Sequence, residues 1–317
     1  MSNVLTSLFS LLLATNQPAA ASNLVEQSTG LSIAAIEAKD PVGQQLRQLM
    51  REDDDARAEI DKWIRDSQSF EEKGAGFPQA TLNLRIKERL AEVQKKYEAF
   101  IEVHPDHAAT RIAYGSFLSE IGEEAQGAEQ WEKARELDPN NPAVWNNLAN
   151  YYGHRSPVKK SFEYYAKAIE LDPKEPVYVW NFATTVYLFR KDAMEFYGIS
   201  ETEVFDKALG LYRKALELDP ENFILHSDYA QSFYGTKPPR YDEGLKAWEA
   251  AFEHARDDIE REGVLIHFAR CKIHLGQLED AEKHLGSITN KMYRDLKERL
   301  TRKLESSRNP SVQPSDK

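Results

Sequence analysis

The chain has a single cysteine, Cys271, in 317 residues, so no intrachain disulfide can form and no thiolate-rich metal site can be built. Basic residues are outnumbered as well. The 41 Lys and Arg face 52 Asp and Glu, and the averaged field of the net charge of −11 repels phosphate backbones and anionic lipid. Nucleic acid is therefore not an expected partner. Long apolar runs are missing: Leu5 to Ala14 falls well short of the ~20 residues that a bilayer-spanning helix requires, so no integral membrane span is expected. Nor is there a G-x-S-x-G, P-loop, G-x-G-x-x-G, H-E-x-x-H or kinase-type set. The expectation is a protein that is not an enzyme and carries no cofactor. What remains is 41% hydrophobic, 10% aromatic and 29% charged, the make-up of a folded body in water.

Near the N-terminus the apolar run is followed by a polar break and by Ala19-Ala20-Ala21-Ser22, the order of a secretory signal peptide cut after Ala21. Against this, the first basic side chain is Lys39, so the positively charged leading region is absent. Residues 1–21 are read as a signal peptide, which implies an exported protein, periplasmic or secreted. The alternative is a disordered tail on a cytoplasmic one.

One short pattern, aromatic-x2-small-x4-Pro, returns along the chain: Trp131, Ala134, Pro139; Tyr165, Ala168, Pro173; Tyr212, Ala215, Pro220. An earlier copy, Tyr97 to Pro105, has Phe100 at the small position. Pro105, Pro139, Pro173 and Pro220 stand 34, 34 and 47 residues apart, so the last interval is one period plus an insertion of 13. Between prolines lie two apolar-periodic segments of helical length. In the clearest unit, Trp145, Leu148, Ala149 and Tyr152 share one helix face, and Phe162, Tyr165, Ala168 and Ile169 form the stripe of a second helix. Trp145 is expected in the core.

These residues resemble the tetratricopeptide repeat family, whose pattern of W-x2-L-G-x2-Y, then A-x3-F, then Pro recurs every 34 residues. The resemblance implies an all-α, right-handed solenoid of antiparallel helix pairs, about four to five units with capping helices at both ends. The expected division is 22–73 as an N-terminal helical region and linker, with a helix over Gly43–Arg65 whose apolar face is broken by Glu52-Asp53-Asp54-Asp55 and a linker over Glu71–Phe77; 74–107 as a capping helix or half repeat, with one long helix over Gln79–Val103; and 108–290 as the array. The array falls into 108–141, 142–175, 176–222, 223–261 and 262–290. Residues 291–307 form a C-terminal capping helix and 308–317 a disordered tail. The insertion, about Phe189 to Glu201, is expected to be a loop that carries Met194, Phe196 and Tyr197. It ends in a Ser200/Glu203 capping box.

His267, Cys271, His274 and His284 have a helical spacing that can hold zinc, but ordinary packing produces such sets, and no metal site is assigned. The resemblance further implies that the first helix of each pair lines a concave groove. By spacing, these helices present Ala143, Asn146, Asn150 and His154; then Val177, Trp180, Asn181, Thr184 and Tyr187; then Ile224, Ser227, Gln231 and Tyr234. Pro142–Tyr152 and Pro176–Phe189 contain no charged residue. Family members that grip a C-terminal carboxylate do so with Lys, Arg and Asn, whereas Ile224 and Asp228 stand here where basic residues are needed. The expected function is a scaffold that binds a protein or extended peptide through Asn146, Asn147, Asn150, Trp180, Asn181, Tyr187, Gln231 and Tyr234. The alternative is a structural subunit of a homo-oligomeric or envelope-associated complex, its groove filled by the chain itself.

Overall fold

The computed structural model describes residues 40–71, 79–155 and 158–309. Among the described residues there are fourteen α-helices, one 3-10 turn and no strand. The chain divides into two compact units, Met1–Asp172 and Pro173–Lys317.

The first unit holds α1 (Pro41–Glu71), α2 (Gln79–Val103), α3 (Ala108–Glu120), α4 (Glu124–Leu137), α5 (Pro142–Gly153) and α6 (Lys159–Leu171). Each short pair begins where the sequence supplies a cap. Asn141 accepts from the Ala143 amide at 3.1 Å with Pro142 in the first turn, where a missing N–H costs nothing. His107 caps α3 in the same way through Thr110. Pairing is closest at Gly115 and Gly127. A Cβ on Gly115 would stand 2.9 Å from the Gly127 carbonyl and meet the Trp131 ring, so the α3 and α4 backbones touch only because both residues are glycine.

The long N-terminal segment is more ordered than expected. α1 runs on to Glu71, beyond the Arg65 end set by its apolar spacing, and lies antiparallel to α2. Leu46, Leu49 and Met50 enter the same core as Tyr97, Ile112, Phe117 and Leu118. Within the acidic cluster read as a break in the apolar face, Asp53 and Asp54 are buried. Asp53 is fully enclosed, takes Arg57 Nε at 2.8 Å and the Tyr97 hydroxyl at 3.1 Å, and Arg57 also pairs with Glu120. A paired and hydrogen-bonded carboxylate can be enclosed in this way where a lone one cannot. The linker expected at 71–77 lies outside the described residues apart from Glu71, which ends α1.

The second unit holds α7 (Pro176–Leu188), α8 (Arg190–Tyr197), α9 (Glu201–Leu218), α10 (Phe223–Ser232), α11 (Tyr241–Glu253), α12 (Asp258–His274), α13 (Leu278–Ser287), a 3-10 turn (Lys291–Tyr293) and α14 (Arg294–Arg308). The insertion is a helix, α8, and not a loop. Ala193 is buried within it, Gly198 ends it in the left-handed conformation at φ 65°, and the Ser200/Glu203 capping box starts α9. Phe196 and Tyr197 pack edge-on at 4.8 Å, so its aromatics are half-buried on the helix. α14 covers the last pair by burying Leu304 among Ile273, Ala281 and Leu285.

The recurring small residue explains the stacking. Ala134, Ala168, Ala215 and Ala251 are all fully buried, each three residues after a buried Trp or Tyr that fills the space beside it. Trp145 departs from the expected core position. It is half-buried, donates from Nε1 to the Pro139 carbonyl at 2.8 Å and meets Tyr164 edge-on at 5.0 Å, because its ring spans the turn before α5.

Candidate functional site

The first helices of successive pairs, α3 and α5 in one unit, α7 and α10 in the other, carry equivalent positions. In the first unit most of these positions are closed. Ile112, Ala113 and Ser116 on α3 are buried, and so are Ala143, Asn146 and Asn147 on α5. Asn146 and Asn147 are each 3% exposed. Asn146 Nδ2 donates to Asn147 Oδ1 at 3.2 Å, and Asn147 Nδ2 donates to Ser116 Oγ at 3.4 Å. These two amides therefore form a chain of hydrogen bonds that runs from Asn146 through Asn147 to the neighbouring helix. Asn150 is half-buried and its Oδ1 accepts from the Tyr165 hydroxyl.

In the second unit the equivalent positions are half-open. Val177, Trp180, Asn181, Thr184 and Tyr187 on α7 are all partly accessible; on α10 so are Ile224, Ser227 and Asp228, and Gln231 is exposed. Trp180 Nε1 donates to Asp228 Oδ2 at 2.9 Å, tying α7 to α10. Behind that contact Thr184 Oγ1 and the Tyr212 hydroxyl are 2.9 Å apart, and burial pushes the Tyr212 phenol up to about 12. The Tyr187 ring lies 5.7 Å from Phe205 and against Gly235, where a Cβ would stand 2.8 Å from Tyr187 Cζ; only glycine admits the ring there. Burial raises the Asp228 carboxyl above its usual value, and the Trp180 indole N–H works against that rise.

Tyr234 is half-buried beside this face, but its hydroxyl is engaged inward. It accepts from Trp248 Nε1 at 2.7 Å and lies 3.1 Å from His267 Nδ1 and 3.5 Å from Cys271 Sγ. Burial, with Arg270 nearby, lowers the His267 imidazole to about 4, and its ring stacks on Trp248 at 4.0 Å. The four residues with zinc-like spacing do not converge. His274 accepts from Lys303 Nζ at 2.6 Å, His284 lies against Phe268 at 5.2 Å, and Cys271 is buried. Among the described residues no group of three or more His, Cys, Asp or Glu is placed to hold a metal.

The structure adds contacts for two residues, Asp228 on the open face and Arg270 on α12 beside Tyr234. Asp228 is legible in the sequence as an acid where a base is needed, yet its bond to Trp180 spans 48 residues and no local pattern announces it. Arg270 lies over the Tyr234 ring at 4.3 Å and brings a cation to the side that the uncharged α7 stretch does not supply. It follows His267 by three positions, the spacing that sets it on the neighbouring face of α12.

The α5–α6 pair carries the family match. Residues 142–175 match the family model described as tetratricopeptide repeat. That segment is a tetratricopeptide repeat. Two solved structures of similar fold extend the likeness beyond that pair. One is PilW, described as a widely conserved type IV pilus biogenesis factor, at 12% identity over 70% of this chain and 96% of that one with a TM-score of 0.55. The other is the C-terminal part of a tetratricopeptide-repeat-containing protein from Cytophaga hutchinsonii, at 16% identity, 78% and 98% coverage and a TM-score of 0.50. At such identities the likeness is one of fold. No curated protein matches the sequence. Among the described residues no helix is long and apolar enough to cross a membrane.

Proposed function

We propose that this tetratricopeptide-repeat protein is a non-enzymatic scaffold that binds an extended peptide segment of a protein partner on the α7–α10 face of its second unit. The observation that carries this reading is the half-open state of Trp180, Asn181 and Asp228, at positions whose counterparts on α3 and α5 (Ile112 and Ala113, Asn146 and Asn147) are buried, with Thr184 and Tyr187 half-open beside them. Half-accessible aromatics supply contact area, and amides and hydroxyls beside them can pair with the backbone of an extended chain. Of the groove residues read from the sequence, Trp180, Asn181, Tyr187 and Gln231 fit this role best. Asn146 and Asn147 serve packing instead.

The reading in which the chain fills its own groove is supported for the first repeat alone, where α1 buries Leu46 and Met50 in the core shared with Ile112 and Phe117. Affinity capture from the host extract, run with the wild type and with Trp180→Arg, tests the main reading. A partner retained by the first and lost by the second, both folded by circular dichroism, is the expected result. Equal retention by both would remove the face from consideration. A stable, concentration-independent oligomer by light scattering, with Trp180 protected from solvent quenchers, would favour the self-associated subunit.

A further inference from the structure

We propose that Asp228 makes the α7–α10 face selective for a cationic side chain, arginine before lysine, in the bound peptide. The inference rests on the peptide-binding reading above and names what that face would choose.

A carboxylate partly withdrawn from water requires compensation from hydrogen bonds or from an opposite charge. Asp228 receives little of either from its own chain. Its Oδ2 accepts one hydrogen bond, from Trp180 Nε1, and among the described residues no Lys, Arg or His pairs with it. The groups packed around it are neutral: Trp180 on α7, Tyr212 on α9, and Ser232, whose hydroxyl donates to the Asp228 carbonyl at 2.8 Å. The basic side chains of this part of the unit are engaged elsewhere. Arg240 pairs with Asp206 at 2.7 Å, Lys237 with Glu201 at 3.1 Å, Arg190 with Glu201 at 3.0 Å, and Arg270 lies over Tyr234.

The surroundings suit an incoming cation in a second way. The indole of Trp180 stands at hydrogen-bond distance from the carboxylate and is itself half-accessible, and an aromatic face attracts a guanidinium or ammonium group through its quadrupole. The indole N–H fixes the orientation of the carboxylate at Oδ2 and leaves Oδ1 for a partner's donors. A planar guanidinium can use that oxygen and stack on a ring at the same time, which an ammonium does less well.

The test probes the full chain with an immobilised array of random decapeptides whose central residue is held as Arg, Lys, citrulline or Glu. The wild type should retain the Arg and Lys sets about tenfold more strongly than the citrulline set, the loss expected when one side of a half-buried charge pair is neutralised. Asp228→Asn should lower retention of the Arg and Lys sets to that of the citrulline set, and Asp228→Lys should move the preference to the Glu set. Circular dichroism confirms that each variant is folded. Retention by the wild type regardless of the central residue, abolished by Trp180→Arg, would overturn the selectivity and leave the peptide-binding reading intact. Failure to retain any set would overturn both.

Discussion

α3 and α5 in the first unit and α7 and α10 in the second follow one repeat pattern, yet they use equivalent positions in opposite ways. On α3 and α5 these positions hold Ile112, Ala113, Ser116, Asn146 and Asn147, all buried, and the half-buried Asn150. On α7 and α10 they hold Trp180, Asn181, Thr184, Ser227, Asp228 and Gln231, none of them buried. The residues that stack one pair on the next are the same in both units, Ala134 and Ala168 in one, Ala215 and Ala251 in the other. The residues that stack the pairs are therefore separate from those that differ in burial, so one surface of a repeat can change its chemistry while the scaffold stays fixed.

The sharpest way to break this comparison is inside the closed unit. Phe117, fully buried, should cost about 3–5 kcal/mol when replaced by alanine, measured by urea unfolding of the full chain; a loss near zero would mean that the first unit is not closed. Gly115→Ala is next, at about 1–3 kcal/mol, because its Cβ meets Trp131 and the Gly127 carbonyl. Asn147→Ala belongs in the same range, about 1–3 kcal/mol, since it removes an acceptor of Asn146 and a donor to Ser116.

A pH series sharpens the comparison from the side of the second unit. Burial holds His267 neutral in the folded chain down to about 4, whereas the unfolded chain takes up the proton near 6.5. The unfolded state therefore binds more protons between these values. The stability from this residue is complete above about pH 6.5 and is lost as pH falls toward about 4, with a slope of at most about 1.4 kcal/mol per pH unit. His267→Phe should flatten that slope relative to the wild type. The smallest effect is at the open face: Gln231→Ala should leave stability within about 0.5 kcal/mol, and a larger loss in thermal melts would show that the face is part of the packing.

Features carried by local spacing were legible in the sequence, and features that join distant segments were not. The α2 limits Gln79 and Val103, the capping box at Ser200 and Glu203, and the aromatic and alanine pairs all depend on residues within a turn or two of each other. The pairing of α1 with α2 depends instead on Asp53 meeting Tyr97 across 44 positions. An acid that is enclosed only because a distant phenol and a nearby guanidinium pair with it reads, in sequence, as a solvated break. The candidate site divides along the same line. Helical spacing brought Trp180, Asn181 and Tyr187 onto one face, but it could not tell them from Asn146 and Asn147, because burial is decided by what lies against a helix and not by its own period.

The α1–α2 pair has a further consequence. These helices are 31 and 25 residues long against 13 for α3, so at about 1.5 Å per residue they run well past the length of a repeat helix. Their far ends rest on a separate small core of Ile60, Ile64, Leu82 and Ile86, with Trp63 beneath the Arg85 guanidinium at 3.7 Å. That core belongs to the two helices alone. It can open without disturbing the stacked alanines, so amides near Ile64 and Leu82 should exchange with deuterium through local fluctuations, long before those around Phe117 report global unfolding.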